Sequence, residues 1–280
     1  MKRLKFFVFM LVSVSVVLSA TDLKKLKKAV DITKKGVEAQ RKINEKEEYY
    51  IGRAVGATIL SRYKLSRNRE ITAYLARLGT FIALRSDRPQ TFLGYRFAML
   101  DTDEVNAFAA PSGIIFVTRG LVEVCEDEDE LAAALAHEVS HIVSKDPTQA
   151  IKSDRMKSFA IKTAAELTSG SNETVELFRN MVTDVSNTLL EKGYSRSQEK
   201  KADLAAVKLL EKCRYNSAAI VSLLEKLHER EEKKAGIYSA HPSCAKRLEY
   251  LKSAVAKPEI NAGYQKRKER FTRIRELCRS

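Results

Sequence analysis

The segment ALAHEVSHIV, residues 134–143, combines side chains that could bind a metal ion and cleave a bond. His137 and His141 are four residues apart, so on a helix both imidazoles lie on one face and can bind a single ion, for which Zn²⁺ is the expected metal. Glu138 follows about 100° around the helix, where its carboxylate can hold a water molecule without being a ligand. The alternative is an ordinary helix with two surface histidines, but H-E-x-x-H arises by chance only about once in 150 such chains.

A catalytic zinc site needs a third protein ligand and an open fourth position. No H-x-x-x-x-x-H extension follows His141, whereas the segment YSRSQEKKADLAA places Glu199 and Asp203 four residues apart on a predicted helix. Such a pair would direct one carboxylate to the metal and the other to a histidine ring N–H, which fixes the tautomer of that histidine. Taken alone, Glu199 would be a solvated helix residue. Beside the histidine pair it is the leading candidate for the third ligand.

The elements that must position these residues are mostly helices. Apolar residues recur at helical spacing in YYIGRAVGATILSRYK, in NREITAYLARLGTFIALRS and from DEDELAAALAHEVSH onward. Further helices are predicted near residues 153–169, 173–191, 196–213, 216–234 and 243–255. Two β-rich runs, YRFAMLD and GIIFVTRG, flank NAFAAPSG and predict a small sheet. The sequence therefore predicts an α+β fold, mostly helical, with one small antiparallel sheet next to the active-site helix.

Composition and the first residues indicate an exported protein. The chain has 280 residues, 44% of them hydrophobic, which suits one sizeable core and argues against disorder over most of its length. Basic residues, an apolar run from Phe6 to Leu18 and then small residues are typical of a signal peptide at residues 1–20. The apolar run is shorter than the roughly 20 residues that span a bilayer, so an uncleaved anchor is the weaker alternative. We expect the protein in the periplasm or cell envelope.

The formal net charge of +14 favours anionic partners. Export would separate the chain from cytoplasmic nucleic acid, so we expect no nucleic-acid partner. An anionic membrane surface is the better electrostatic partner, and membrane association is left open.

The cysteines allow two interpretations. Cys125, Cys213, Cys244 and Cys278 show no C-x-x-C spacing. Disulfides in an exported protein, with three possible full pairings, and free thiols both remain open.

Four motifs together resemble the metallopeptidase family numbered 48, which includes the CAAX prenyl endopeptidases and bacterial periplasmic proteases that police outer-membrane protein assembly. HEVSH is followed some sixty residues later by R-x-x-E-x-x-A-D, beginning at Arg196. DTDEVNAFAAPSGIIFVTRGLV resembles the family's N-A-F-x-x-P-G-G segment, with Ser112 where the family often has glycine. SAHPSCAKRLEYL resembles its H-P-S-x-x-x-R segment. The motifs follow the family's order over roughly residues 50–253.

The resemblance implies a zincin-type metallopeptidase domain of the exported single-domain branch, with one Zn²⁺ per chain. It implies that Glu138 is the general base. The implied zinc ligands are His137, His141 and Glu199. Asp203 and Arg196 are the residues implied to contact and orient those ligands. His241 would stabilise the oxyanion or mask the zinc at rest, although it could also be a turn histidine before a helix.

The strand around residues 106–110 is expected at the sheet edge above the zinc, where a substrate could add as an extended strand. The expected substrate-binding residues are Asn106, Ala107 and Phe108, although Asn106 could equally be a turn former. Main-chain recognition favours unfolded or misassembled polypeptides as substrates. The segment 145–194 could form a lid over the site or could simply pack as helices.

These observations predict a signal peptide (1–20), a basic helical lead-in (21–48), a zinc metallopeptidase domain (49–255) and a basic C-terminal tail (256–280). The predicted function is hydrolysis of peptide bonds in unfolded or misassembled envelope proteins. One alternative is a chaperone-like protein that binds envelope clients with little proteolysis, although mere binding does not need Glu138. The other is a membrane-surface protein that acts through its basic ends, KKLKK and QKRKERFTRIR.

Overall fold

The computed structural model describes residues 43–149, 173–233, 244–255 and 263–279, which form helices around a small sheet. The helices are α1 (Glu45–Arg62), α2 (Arg69–Ala83), α3 (Arg119–Val124), α4 (Glu128–Ser144), α5 (Glu173–Asn187), α6 (Arg196–Lys212), α7 (Ala219–Lys233), α8 (Cys244–Ala254) and α9 (Tyr264–Arg279). The strands are β1 (Arg96–Leu100), β2 (Ala107–Ala110) and β3 (Ile114–Thr118). The predicted α+β class, mostly helical with one small sheet, is confirmed.

The sheet is mixed, so the prediction of a purely antiparallel sheet is wrong. β2 and β3 form an antiparallel pair, with Phe108 opposite Phe116. β3 lies between β2 and β1 and runs parallel to β1, with Ala98 opposite Phe116. Apolar runs predict strands but not the direction of the partner strand, and here the strands adjacent in sequence, β1 and β2, are not paired. Within the described part of the chain, β2 is an edge strand.

A tight turn of residues Pro111–Gly113 joins β2 to β3. Ser112 in this turn has a φ of 64°, in the left-handed region that favours glycine, which accounts for the glycine often found there in the family. The Ser112 N–H donates to the Glu48 carboxylate of α1 at 3.2 Å. Glu48 also accepts a hydrogen bond from Arg88 at 2.9 Å. These bonds hold the turn against α1 and so fix where β2 ends.

Helix α4 is the buried centre of the fold. Its alanines Ala132, Ala133 and Ala136 are fully buried, and their small size lets α2, α6, α7 and β2 pack closely around the helix. Asp127 caps its N-terminus by accepting a hydrogen bond from the Glu130 N–H at 2.9 Å. The next turn after the helix begins at Lys145, whose φ of 57° is left-handed.

Three consecutive acidic residues in the first turn of α4 are buried and paired with basic residues from later in the chain. Their negative charge is favourable at a helix N-terminus. Two of the basic partners come from α9 and one from α7. The pairs are Glu128 with Arg270, Asp129 with Arg267 and Glu130 with Lys226.

Helix α9 lies within the segment that the sequence predicted as a polar, basic tail, residues 256–280. Phe271, Ile274 and Cys278 of α9 are buried, and the helix packs against α2, α3 and α4. Three apolar residues at helical spacing are enough to dock a helix whose other faces are strongly charged. The hydrophobic core therefore includes residues beyond 255.

Helix α5 continues into a π-helical turn, Thr188–Lys192, which ends at Gly193 with a φ of 69°. Val185 and Leu189 are buried with Phe108, and α5 packs against α1. The described residues 173–192 of the segment 145–194 are thus helical, and the lid over the site stays a prediction.

Several predicted features lie outside the described residues. They are the signal peptide at 1–20, most of the lead-in at 21–48, the helix at 153–169 and His241. Within the described ranges, no helix combines the length and the apolarity needed to cross a membrane.

The cysteines are free thiols, and all four are buried. Of the two interpretations left open by the sequence, the structure therefore agrees with free thiols. Burial raises the pKa of Cys213 to about 11. Burial, assisted by Glu123, raises the pKa of Cys278 to about 11.

Candidate metal centre

Helices α4 and α6 lie side by side and bring three potential metal ligands to one point. His137 Nε2 and His141 Nε2 are 3.1 Å apart. Glu199 Oε2 is 3.5 Å from His137 Nε2, and Glu199 Oε1 is 3.6 Å from His141 Nε2. Ligand atoms around a tetrahedral zinc ion with bonds of about 2.0–2.2 Å lie roughly 3.3–3.6 Å apart. These three buried residues could therefore hold one metal ion.

The local sequence determines where α6 begins and which residues face α4. Ser195 is the N-cap, and it forms a capping box with Gln198. Glu199 is 1% exposed and Asp203 is fully buried, one helical turn apart on the face toward α4. The cap thus sets the register in which α6 presents its two carboxylates.

Each histidine has a carboxylate at its other ring nitrogen. His137 Nδ1 is 2.9 Å from Asp203 Oδ1, and His141 Nδ1 is 2.8 Å from Asp146 Oδ2. Because a carboxylate accepts, these contacts favour the tautomer with the proton on Nδ1 and the lone pair on Nε2. Two Nε2 lone pairs then face each other at 3.1 Å, an arrangement that needs a cation or proton between them. The chemistry of these side chains fits a metal ion.

Asp203 is itself held by residues of α8. Arg247 donates from Nε at 2.9 Å and from Nη2 at 2.7 Å to the two carboxylate oxygens of Asp203. The Tyr250 hydroxyl donates to the same carboxylate at 2.5 Å. Arg247 Nη1 also lies 3.6 Å from Glu199 Oε2. Bidentate pairing and burial fix the carboxylate plane and, through it, the His137 ring.

The electrostatic environment of His137 favours positive charge. Burial and Arg247 lower the pKa of His137, but Asp203 and Glu199 outweigh them and raise it to about 10. Burial raises the pKa of Asp203, but Arg247 and His137 outweigh it and hold that pKa well below its usual range. Burial lowers the pKa of His141. A divalent cation would satisfy the same field that favours a proton on His137.

Glu138 lines a pocket next to His137. The pocket has a cavity volume of about 80 Å³ and opens to solvent, and most of its lining is apolar. Side chains from α4, α7 and the segment before β2 form its walls, among them Val105, Ala134, Leu223 and Leu227. Arg247 and Cys244 of α8 lie at the same pocket. The expected general base therefore lies between the metal ligands and an apolar space.

The three expected substrate-binding residues lie at the start of β2 and differ in accessibility. Asn106 and Ala107 line the pocket. The Asn106 carbonyl accepts a hydrogen bond from the Thr118 N–H of β3 at 3.1 Å. In an antiparallel pair the next residue, Ala107, then directs its N–H and C=O away from β3. The Ala107 N–H instead donates to the Asn106 side chain at 2.9 Å. Phe108 is 1% exposed and packs with Tyr63 and the α5 residues, so its side chain belongs to the core rather than to a substrate surface.

Tyr194 was not among the predicted site residues, yet its ring stacks on the His141 imidazole, with centroids 4.2 Å apart and planes 25° apart. Burial raises the pKa of Tyr194 well above its usual range, and the carboxylates of Glu138, Asp146 and Glu199 raise it further. The phenol therefore remains protonated and can act only through its hydroxyl group at neutral pH.

Arg196, expected behind the ligands, lies exposed in the first turn of α6. The guanidinium next to Asp203 is that of Arg247, which is the arginine of the H-P-S-x-x-x-R motif. That motif could therefore have identified Arg247 as the partner of Asp203. Asp146 lies five residues after His141 and belongs to none of the motifs, so the sequence did not identify it as a site residue. His241 lies outside the described residues.

The sequence of the chain is similar to those of known proteases. The family model for Peptidase family M48 matches residues 66–255. The chain is 31% identical over 166 residues to the mitochondrial metalloendopeptidase OMA1 of Schizosaccharomyces pombe. It is 26% identical over 176 residues to metalloprotease YcaL and 23% identical over 201 residues to the beta-barrel assembly-enhancing protease, both of Escherichia coli.

The alignments to these three relatives cover 57%, 62% and 70% of this chain and 47%, 66% and 38% of the relatives, in that order. The chain therefore spans less than two thirds of each relative's length. The family model, in contrast, matches more than half of the chain. Residues 66–255 form a metalloprotease domain, and the chain belongs to peptidase family M48.

Proposed function

We propose that the chain is a zinc-dependent metalloendopeptidase that cleaves unfolded or misassembled proteins of the cell envelope. The observation that carries this proposal is the meeting of His137, His141 and Glu199, whose potential ligand atoms lie 3.1, 3.5 and 3.6 Å apart, close to the spacing around a tetrahedral zinc ion, beside Glu138 and an apolar pocket. One zinc ion per chain is proposed.

In the proposed reaction, His137, His141 and Glu199 would hold a zinc ion, which would supply Lewis-acid activation of the scissile carbonyl and of water. Glu138 accepts a proton from the attacking water and delivers it to the leaving amine. Its place at the pocket, next to His137, supports this role. Asp203 and Asp146 accept from the Nδ1 atoms, which keeps the Nε2 lone pairs of the two histidines directed toward the metal position.

The proposed substrates are extended polypeptides that present apolar side chains. β2 is an edge strand among the described strands, and the Ala107 backbone faces away from β3 at the pocket, which supports addition of a substrate strand. The apolar lining favours apolar side chains, which folded proteins bury. The name of one relative, the beta-barrel assembly-enhancing protease, supports an envelope substrate.

We also propose that the chain is exported by its first 20 or so residues and acts in the periplasm or cell envelope, where an anionic membrane surface is a further proposed partner. His241 remains the proposed group for stabilising the oxyanion or masking the zinc. Mass spectrometry of protein from the native host tests export, because an intact Met1 on membrane-embedded material would contradict cleavage.

The proposed activity is tested by metal analysis and by digestion of denatured casein. We expect about one zinc per chain and casein cleavage that chelators abolish. Glu138→Gln should keep the zinc and the fold but lose cleavage, because it removes a base rather than a ligand. Glu229→Gln, an exposed change on α7, is the matched control and should cleave like the wild type. Equal cleavage by Glu138→Gln would contradict the proposal.

A further inference from the structure

A chain of hydrogen bonds connects the end of α1 to the start of β2. The Tyr63 hydroxyl donates to Glu104 Oε2 at 2.7 Å. Glu104 Oε1 accepts from Asn106 Nδ2 at 3.2 Å, and Asn106 Oδ1 accepts from the Ala107 N–H at 2.9 Å. Asn106 and Ala107 line the pocket beside Glu138. The chain of hydrogen bonds therefore ends at the pocket.

The main chain of Asn106 is fixed by Thr118 of β3. The Asn106 N–H donates to Thr118 Oγ1 at 2.9 Å, and the Asn106 carbonyl accepts from the Thr118 N–H at 3.1 Å. Thr118 is fully buried, whereas Asn106 is partly exposed. The side-chain torsions of Asn106 are thus the remaining freedom at this position, and Glu104 and the Ala107 N–H restrain them.

The two partners of the Asn106 amide allow a single orientation of that amide. The Glu104 carboxylate only accepts, so the amide NH2 must face it. The Ala107 N–H only donates, so the amide oxygen must face the main chain. A carbonyl oxygen has two lone pairs, so Oδ1 can accept one more hydrogen bond. The folded protein therefore holds an oriented amide, with capacity for a further donor, at the pocket.

Tyr63 keeps the Glu104 carboxylate in place. Burial and the Glu104 carboxylate raise the pKa of Tyr63 to about 12, so its hydroxyl remains protonated and donates at neutral pH. The Tyr63 ring also packs on Phe108 of β2, with centroids 5.7 Å apart. The tyrosine therefore contacts β2 directly and, through Glu104, supports the residue that precedes it.

We propose that Glu104 is a positioning residue, which holds the Asn106 amide so that Oδ1 accepts a hydrogen bond from a main-chain N–H of the substrate. This inference rests on the proposed peptidase function. A polypeptide that adds to an edge strand offers main-chain N–H groups, and it would meet β2 at Ala107, whose N–H and C=O point away from β3. Fixing the amide before binding avoids the entropy cost of ordering it in the complex. Glu104 thus acts on substrate binding through Asn106.

Glu104→Leu tests this role because leucine has no hydrogen-bonding atom in its side chain. We expect KM for a fluorogenic peptide derived from a mapped casein cleavage site to rise about 10-fold with kcat nearly unchanged. Zinc content should equal that of the wild type. Glu104→Gln should keep KM within about threefold of the wild type, because its amide oxygen can accept from Asn106 while its NH2 donates to the Tyr63 hydroxyl.

Glu123→Leu is the matched control. Like Glu104, Glu123 is a partly buried acidic residue, and it pairs with Arg119 at 3.1 Å. It is not one of the described residues that line the pocket. This variant should lose an ion pair and leave KM unchanged, so a rise in KM with Glu104→Leu would not be a general effect of removing a surface carboxylate.

Peptides in which an ester replaces one main-chain amide supply a readout that a merely structural role would not change. Each amide other than the scissile one is replaced in turn. With the wild type, KM should rise at the position whose N–H meets Asn106. At that position the ester and the parent peptide should have equal KM with Glu104→Leu, because the hydrogen bond is already lost. Asn106→Ala should also abolish the difference, and adding Glu104→Leu to it should raise KM no further.

An unchanged KM in Glu104→Leu, or the same ester effects in that variant as in the wild type, would overturn the inference. Loss of zinc or of the folded state in Glu104→Leu would assign the residue a structural role and would overturn it too. An inactive wild-type protein, or an active Glu138→Gln variant, would instead contradict the proposed function.

Discussion

Arg270 of the C-terminal helix donates from Nε to the Glu128 carboxylate at 2.7 Å, at the first residue of the helix that bears His137 and Glu138. Glu128 is fully buried, and its other partners are the hydroxyls of Tyr74 and Tyr215. A helix that the sequence presents as a polar tail is therefore tied to the helix that holds the site.

Replacing Arg270 with glutamine should lower the free energy of unfolding by about 1–3 kcal/mol, because a buried carboxylate loses its cation. The expected loss is below that for a fully enclosed pair, since the Arg270 side chain is 53% exposed. Urea unfolding measures it. Arg273→Gln on the same helix removes an exposed pair with Glu70 and should cost no more than about 0.5 kcal/mol. Equal decreases in the free energy of unfolding in the two variants would mean that the pairing of Arg270 with buried Glu128 does not stabilise the fold more than an exposed pair does.

Asp146→Asn should weaken zinc binding about 10- to 100-fold, because the amide no longer provides a charged acceptor for His141 Nδ1. Competition with a zinc chelator of known affinity measures the change. Asp87→Asn, an exposed change whose carboxylate contacts Lys212, should leave zinc affinity unaltered. Wild-type affinity in Asp146→Asn would mean that Asp146 does not support the metal site.

Ala134→Leu should shift cleavage toward smaller side chains, because Ala134 is a partly exposed residue of α4 that lines the pocket. Leucine is a good helix former, so the fold and zinc content should be preserved. Cleavage sites in casein, mapped by mass spectrometry, should lose large apolar residues and retain alanine and valine next to the cut. Ala76→Leu, also partly exposed but on α2 and not at the pocket, should cleave like the wild type. An unchanged site pattern in Ala134→Leu would exclude the pocket from specificity.

The buried thiols should make stability fall at alkaline pH. The pKa of Cys213, like that of Cys278, is about 11 in the folded protein, compared with 9.0 for an ordinary thiol. The unfolded chain therefore releases the thiol protons at a lower pH than the folded protein does. The contribution of the two thiols to the free energy of unfolding is complete below pH 9 and is lost as the pH rises toward 11. Urea unfolding between these limits should show a shallower decline in a Cys213→Ala/Cys278→Ala variant than in the wild type. Identical slopes would mean that the thiols do not contribute.

The sequence was most informative where chemistry depends on spacing along a helix. The pairs His137–His141 and Glu199–Asp203 could be recognised because residues four apart share a face, and the structure brings both pairs together. Periodicity could not predict the direction of strand pairing, which depends on how β3 inserts between the other strands. It also could not predict Asp146 and Tyr194, whose positions depend on the packing of neighbouring segments onto His141.

The acidic start of α4 also makes completion of the fold depend on the last described helix, α9. Asp129 and its partner Arg267 are 138 residues apart, and Glu128 and Arg270 are 142 apart. As the chain leaves the ribosome, α4 and α6 are complete before either arginine has been made. Burying the carboxylates at that stage would leave them without cations, which is strongly unfavourable. We therefore expect a chain without α9 to leave the start of α4 hydrated and the fold around the site incomplete.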